Sequence, residues 1–282
     1  MSADSQSQTQ PLGIIAAGGT IPGAVAEAAL AKGHAVHVVA LRGQADPAME
    51  RFPHNWVRIG QVGHILGSLR RAGCRDVVIV GSLRRPNIRR TGMDWGLIRH
   101  FPTLWGLTRG GDDSILRRVV RFFEGQGFTV RGAHEYAPSL LAPLGALGAV
   151  QPTAEHESDI ARGQALLRAT AQFDVGQAVV VARGYVLAVE AAEGTDEMLK
   201  RCGGLRQWGR KGRSGVLVKL PKAGQEMRVD MPAIGANTVE NVAAAGLAGI
   251  AVASGQVIVA DLEETVRLAD KHGVFVVGID TA

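Results

Sequence analysis

Cysteine is nearly missing from this chain: there are two in 282 residues, Cys74 and Cys202. Two thiols cannot build a disulfide framework or a four-thiolate zinc site. Long apolar runs are missing as well, and none approaches the roughly 18 residues of a membrane-spanning helix. Aromatic residues make up only 5%, which leaves little of the base-stacking surface that single-stranded nucleic acid requires. The opening stretch Met1 to Gln10 is polar and holds no basic residue. That pattern fits neither a signal peptide nor a transit peptide and leads us to expect a cytosolic protein. Apolar residues in general are not scarce. At 46% hydrophobic and 20% charged the chain is an ordinary globular one, far from intrinsic disorder.

Glycine and arginine are plentiful. Glycine occurs 37 times, mostly at the ends of apolar runs, as tight strand-to-helix turns require. Of 31 basic residues only six are lysine, and 26 acidic residues leave a net charge of +5. Arginine presents a planar fork of donors suited to phosphate or carboxylate. The excess suits an anionic small ligand, an anionic membrane surface or nucleic acid, and does not choose between them.

Along the chain, short apolar runs alternate with helical periodicity. After a leader over 1–11, Leu12 to Ala16 reads as a strand, Ile21 to Lys32 as a helix stopped by Gly33, and Ala35 to Leu41 as a second strand. Val62 to Ala72 is a helix, Asp76 to Val80 a strand, Asp112 to Glu124 an amphipathic helix and Phe128 to Val130 a strand. This alternation predicts a mostly parallel sheet covered by helices. The pattern dissolves from Pro138 to Pro152, which we read as a junction. We therefore expect one domain over 12–142, a junction over 143–157 and a second domain over 158–282. The second half begins with a helix from Ser158 to Gln172. A hairpin turning at Arg183-Gly184 follows, then a helix start at Thr195 and a strand from Val216 to Leu220. Asn237 to Ala245 is a helix with Asn237 and Glu240 at capping-box spacing. Strands at Ile250 to Ala253 and Val257 to Ala260, a helix from Asp261 to Lys271 and a last strand from Val274 to Val277 complete it.

Several short motifs bear on chemistry. Ala17-Gly18-Gly19-Thr20 lies between strand and helix, where backbone N–H groups and the helix dipole can hold a phosphate. It equally suits a tight turn with no ligand. It lacks the G-x-G-x-x-G fingerprint, and Leu41-Arg42-Gly43 stands where an NAD site places an acid. Gly81-Ser82-Leu83-Arg84-Arg85 follows the third strand and brings two arginines to the same carboxyl edge, to bind an anion or to form a solvated basic loop. Asp112 and Asp113 open a helix as caps do. His134-Glu135 follows a strand without any metal-ligand spacing. Glu190 to Asp196 collects three acids at a strand-to-helix turn, with the Thr195 hydroxyl as a donor. Lys219 and Lys222 straddle a strand end. Asp230, between Arg228 and a Pro-Gly-punctuated turn, reads on its own as a turn former or salt-bridge partner, although aspartate also suits magnesium.

The segments LGIIAAGGTIP, VALRGQADP, GDDSILRRVVRFFEGQGF, GAHEYAPSLLAP, DVGQAVVV, VLAVEAAEGTDEML, VLVKLPKAGQEMRVDMPAIG and AGLAGIAV together resemble the LpxI-type UDP-2,3-diacylglucosamine pyrophosphatases of lipid A biosynthesis. The resemblance runs from Leu12 to Asp280. It implies an α/β protein of two domains, an N-terminal Rossmann-like parallel-sheet domain and a second α/β domain with a mixed sheet, with the ligand between them. It implies hydrolysis of UDP-2,3-diacylglucosamine to UMP and 2,3-diacylglucosamine 1-phosphate with Mg2+. The family's essential acid falls on Asp230, as catalytic residue and metal ligand. Gln177, Thr195 and Lys219 fall on substrate-facing positions, and Gly18 and Gly19 at the nucleotide or phosphate end. Gly81, Arg85, Asp112, His134 and Asp196 are expected on the substrate beside them. Two acyl chains need an apolar groove, for which Pro138 to Val150 is the candidate lining. That groove implies peripheral attachment to the cytoplasmic face of the inner membrane. A homodimer stays open. Where the family commonly has three glycines this chain has Ala17-Gly18-Gly19, and where it often has threonine this chain has Ala233.

Two other classes compete. An NADP-dependent or sugar-nucleotide-modifying enzyme could use the same glycine turn, since Arg42 can receive a ribose phosphate. A nucleic-acid module built on Arg84 to Arg90 lacks a recognised motif.

Overall fold

The computed structural model describes residues 10–83, 94–96, 112–173, 175–205, 212–222 and 224–281, with the side chains of 112–114 excepted. The chain divides into two compact units. Met1–Pro138 with Glu226–Asp230 forms the first, and Ser139–Gln225 with Met231–Ala282 the second. The short stretch Glu226–Asp230 is thus an excursion: the chain leaves the second unit for five residues and returns to it.

The first unit is built on a five-stranded sheet in the order β3-β2-β1-β4-β5. Its strands are β1 Leu12–Ala16, β2 Val36–Leu41, β3 His54–Val57, β4 Asp76–Val80 and β5 Thr129–Arg131. All four pairings are parallel. This is the Rossmann-like winding, which reverses between β1 and β4, the point at which sheets of this kind usually bind ligands. Every residue of β1 is buried, as in a parallel strand covered on both faces. Helix α1 (Ile21–Ala31) ends where Gly33 takes a φ of 82° and His34 N–H reaches back to Ala29 O at 3.0 Å. That is the left-handed glycine stop the sequence indicates. Helices α2 (Val62–Arg71) and α3 (Asp112–Gly125) cover the sheet through Ile65, Leu66, Leu69, Val120, Phe122 and Phe123. A short helix, α4 (Ala133–Tyr136), follows β5.

The second unit has a mixed six-stranded sheet in the order β6-β13-β11-β9-β7-β8. Its strands are β6 Gly145–Ala146, β7 Ala178–Ala182, β8 Tyr185–Val189, β9 Val216–Lys219, β11 Gly249–Ala253 and β13 Phe275–Ile279. β9, β11 and β13 run parallel, and the edges β6 and β7–β8 are antiparallel. Four helices pack with it: α5 (Ala154–Thr170), α6 (Thr195–Gly204), α7 (Ala236–Ala244) and α8 (Leu262–His272). A separate parallel pair, β10 (Ala233–Ile234) with β12 (Ile258–Val259), stands outside the main sheet. Both thiols are buried, Cys74 in one unit and Cys202 in the other. Burial pushes Cys74 up to about 11 and raises Cys202, so neither is a ready thiolate at neutral pH.

Several sequence expectations are corrected. Helix α5 begins at Ala154, not Ser158, because the Thr153 N–H donates to His156 Nδ1 at 3.2 Å in a capping box with histidine in place of glutamate. Ser158 instead donates its hydroxyl to Ala154 O inside the first turn. Helix α7 starts after Gly235, whose N–H donates to Thr238 Oγ1 at 3.3 Å; Asn237 is not the cap. Of Val257 to Ala260 only two residues are strand. Strands β3, β6 and β10 were not anticipated.

The hairpin β7–β8 turns at Arg183 (φ 51°) and Gly184 (φ 77°), the left-handed pair of a type I′ turn. Arginine tolerates that backbone because Asp159 of α5, 1% exposed, accepts the N–H groups of Arg183 and Gly184 at 2.8 and 2.7 Å. Removing the carboxylate leaves two donors without their acceptor. Asp159→Ala should therefore lower the stability of this unit by about 3 kcal/mol, read from the shift of a urea unfolding transition.

Candidate active site

Apolar strands leave polar chemistry to the strand ends, and in the first unit the relevant ends are those of β1 and β4. The turns that follow them pair with each other. Gly18 N–H donates to Ser82 O at 2.9 Å, Ser82 N–H to Gly18 O at 2.8 Å, and Ala17 N–H to Val80 O at 2.9 Å. Gly81 permits this approach. It has a φ of 108°, and a Cβ there would lie 2.7 Å from Gly18 O. The Gly18 N–H, expected on a phosphate, is thus engaged by Ser82. Gly19 is exposed at a φ of 92° with open space around its Cα. Arg85 lies outside the described residues, and so does the Asp112 side chain, although Asp112 does open α3. His134 sits on α4 with its ring over Gly132. Its Nδ1 is buried and has no hydrogen-bond partner among the described residues.

Asp230 is half-buried and closes the excursion. Its N–H and that of Val229 both donate to Glu226 O, at 3.0 and 3.1 Å. Val229 packs on the core of the first unit. Arg228, the neighbour that suggested a salt bridge with Asp230, instead grips Glu226 with two bonds of 2.8 Å and Glu124 of α3 with another of 2.8 Å. These contacts raise the Arg228 guanidinium pKa, with the bond to Glu226 the largest cause, and the Arg228 bond lowers the Glu226 carboxyl.

In the second unit the carboxyl end of β9 presents Lys219. Its Nζ donates to Thr195 Oγ1 at 3.2 Å and to Ala233 O at 2.9 Å. Thr195 opens α6, and its hydroxyl proton goes to Glu190 Oε1 at 2.7 Å. Gln177 joins through its backbone, whose N–H donates to Glu190 Oε2 at 2.7 Å. The structure therefore brings Gln177, Thr195 and Lys219 together around Glu190. Asp196 is exposed and accepts the side-chain amides of Asn237 at 3.3 Å and Asn241 at 2.9 Å, which ties α6 to α7. Sequence reasoning missed the central part of Glu190. The cluster of acids was visible, but only the pairing of β7 with β8 tells which acid turns inward.

Within each unit the hydrogen-bonding groups lie at strand ends, where α/β folds usually bind their ligands. Comparison with known proteins narrows this. Residues 11–140 match the LpxI N-terminal domain and residues 143–277 the LpxI C-terminal domain. The chain is 43% identical over 272 residues to the UDP-2,3-diacylglucosamine pyrophosphatase LpxI of Caulobacter vibrioides, covering 95% of this chain and 97% of that one. The chain belongs to the LpxI family.

Because the folded Glu226 carboxyl is depressed, its pairing contributes stability above the unfolded value of about 4.3 and loses it as pH falls through the folded value. Glu226→Gln should cost about 1 kcal/mol at pH 7. The gap from wild type should close as pH falls below about 4, measured by denaturant unfolding across that range.

Proposed function

We propose that this protein hydrolyses the pyrophosphate bond of UDP-2,3-diacylglucosamine, releasing UMP and 2,3-diacylglucosamine 1-phosphate in lipid A biosynthesis. The observation that carries the reading is the identity to a pyrophosphatase of that specificity along nearly the whole chain. Resistance of a pyrophosphate to attack comes from its anionic oxygens, which repel an incoming oxygen nucleophile. Catalysis is therefore a matter of positioning and of cations placed where charge redistributes. Lys219, tethered to Thr195 Oγ1 and Ala233 O, supplies such a cation. Gln177 and Thr195 stand beside it. Asp230 holds the attacking water or a metal, with its backbone pinned by the Glu226 carbonyl.

Among the described residues no group of three His, Cys, Asp or Glu side chains is placed to hold a metal. Magnesium is usually held by one or two carboxylates with the rest of its shell from phosphate and water, and Asp230 is the carboxylate we assign. When bound, the ion would offset the charge on the phosphates.

We assign Gly19 to the nucleotide end and Leu144, 70% exposed, to the acyl chains. Among the described residues no helix is long and apolar enough to cross a membrane. The lipid substrate is the reason we place the protein at the cytoplasmic face of the inner membrane, touching it peripherally.

Purified protein mixed with magnesium and UDP-2,3-diacylglucosamine should give UMP and the sugar phosphate by mass spectrometry. In oxygen-18 water the label should enter the sugar phosphate, which marks attack at the β phosphorus; label in UMP would reverse that assignment. Asp230→Asn should fold normally and lose about 10³-fold or more in turnover, and robust turnover would remove Asp230 from the mechanism.

A further inference from the structure

Glu190 lies just past the end of β8 and is 8% exposed, and no step proposed above uses it. Its backbone is fixed on both sides: its N–H donates to Ala178 O and its carbonyl accepts from Gly176 N–H, each at 2.9 Å. Gly176 also makes room for the side chain, since a Cβ there would come within 2.5 Å of Glu190 Cβ and Cγ. From this fixed base the carboxylate reaches in two directions, to the Gln177 N–H and to the Thr195 hydroxyl, both at 2.7 Å.

The chemistry of the partners sets the direction of each bond. An ionised carboxylate only accepts, and a lysine ammonium only donates. Thr195 stands between one of each and has a single proton. That proton points to Glu190, and the oxygen is left to accept from Lys219 Nζ. The hydroxyl expected as a donor does donate, to Glu190, and in the same geometry it accepts from a cation and tethers it.

We propose that Glu190 is a positioning residue for the hydrolysis: through Thr195 it aims the Lys219 ammonium at the anionic substrate. The proposal rests on the reading that Lys219 and Thr195 serve the pyrophosphate. Glu190→Gln tests it with almost no change of shape. If the new amide keeps its oxygen on the Gln177 N–H, its NH2 faces Thr195, whose proton loses the acceptor that fixes the hydroxyl toward Lys219. If the amide flips, NH2 meets the Gln177 N–H instead. One contact is lost either way.

With UDP-2,3-diacylglucosamine and magnesium, Glu190→Gln should lower kcat about 10–100-fold with KM within about twofold, the scale expected of a misplaced group rather than lost binding. Thr195→Val should do the same, Thr195→Ser should keep most of the rate, and the double variant Glu190→Gln/Thr195→Val should be no slower than Thr195→Val. Full activity of Glu190→Gln, a change in KM alone, or additive losses would each overturn the proposal. Should Glu190→Gln not fold, Glu190→Asp gives the same comparison. Unfolding of both would also overturn it, by making Glu190 a purely structural acid. Reductive methylation of Lys219 followed by mass spectrometry reads the tether without turnover. The rate should rise several-fold in the Glu190 variant, and an unchanged rate would count against the tether. A wild-type protein that hydrolyses nothing sinks the pyrophosphatase reading by itself, while the methylation result still stands or falls alone.

Discussion

The central strands of both main sheets are closed to water on their two faces, and this confines the chemistry of the protein to strand ends. All five residues of β1 are buried, and so are all five of β11. A polar side chain in the middle of such a strand would lose its hydration without gaining a partner, at a cost of several kcal/mol. The backbone groups there are already satisfied by the parallel ladder. Gly18 and Gly81 follow strands, Lys219 ends one, and Glu190 and Thr195 occupy the connection out of another. Their location follows from the apolar strands.

The two units use these ends differently. In the first, backbone meets backbone, and the closeness of the turns after β1 and β4 depends on a glycine at 81 that no larger residue could replace without moving the Gly18 carbonyl. In the second, side chains meet. A buried acid, a hydroxyl and an ammonium form a chain of bonds in which each partner has only one way to take part. Rigid strands place the first and last members, and the start of α6 places the middle one.

Much of this was legible in the sequence. Apolar runs punctuated by glycine gave the alternation of β and α in both halves, and the hairpin at Arg183-Gly184 could be read from its turn residues. What escaped was short or non-local. His54–Val57 is only four residues long and does not alternate polar with apolar, and β6 and β10 have two residues each. Asn237 looks like a helix cap because asparagine usually is one, yet a nearby helix offers it Asp196 instead. The glycine turn was located correctly, but whether its N–H groups were available depended on Ser82, more than sixty residues away. Arg228 looked like a partner for Asp230 two residues on, and the choice went to Glu226 and the distant Glu124. Local pattern identifies the candidates in each case. Tertiary contacts decide which one is used.

The excursion at Glu226–Asp230 bears on how such a gene can be divided. A cut near residue 139 would appear to free a self-sufficient N-terminal half, yet that fragment would lack the arginine that answers Glu124 and the valine that completes its apolar interior. The two halves are therefore not interchangeable cassettes. Insertion, fusion or recombination has to respect a piece of the first that is encoded deep within the second.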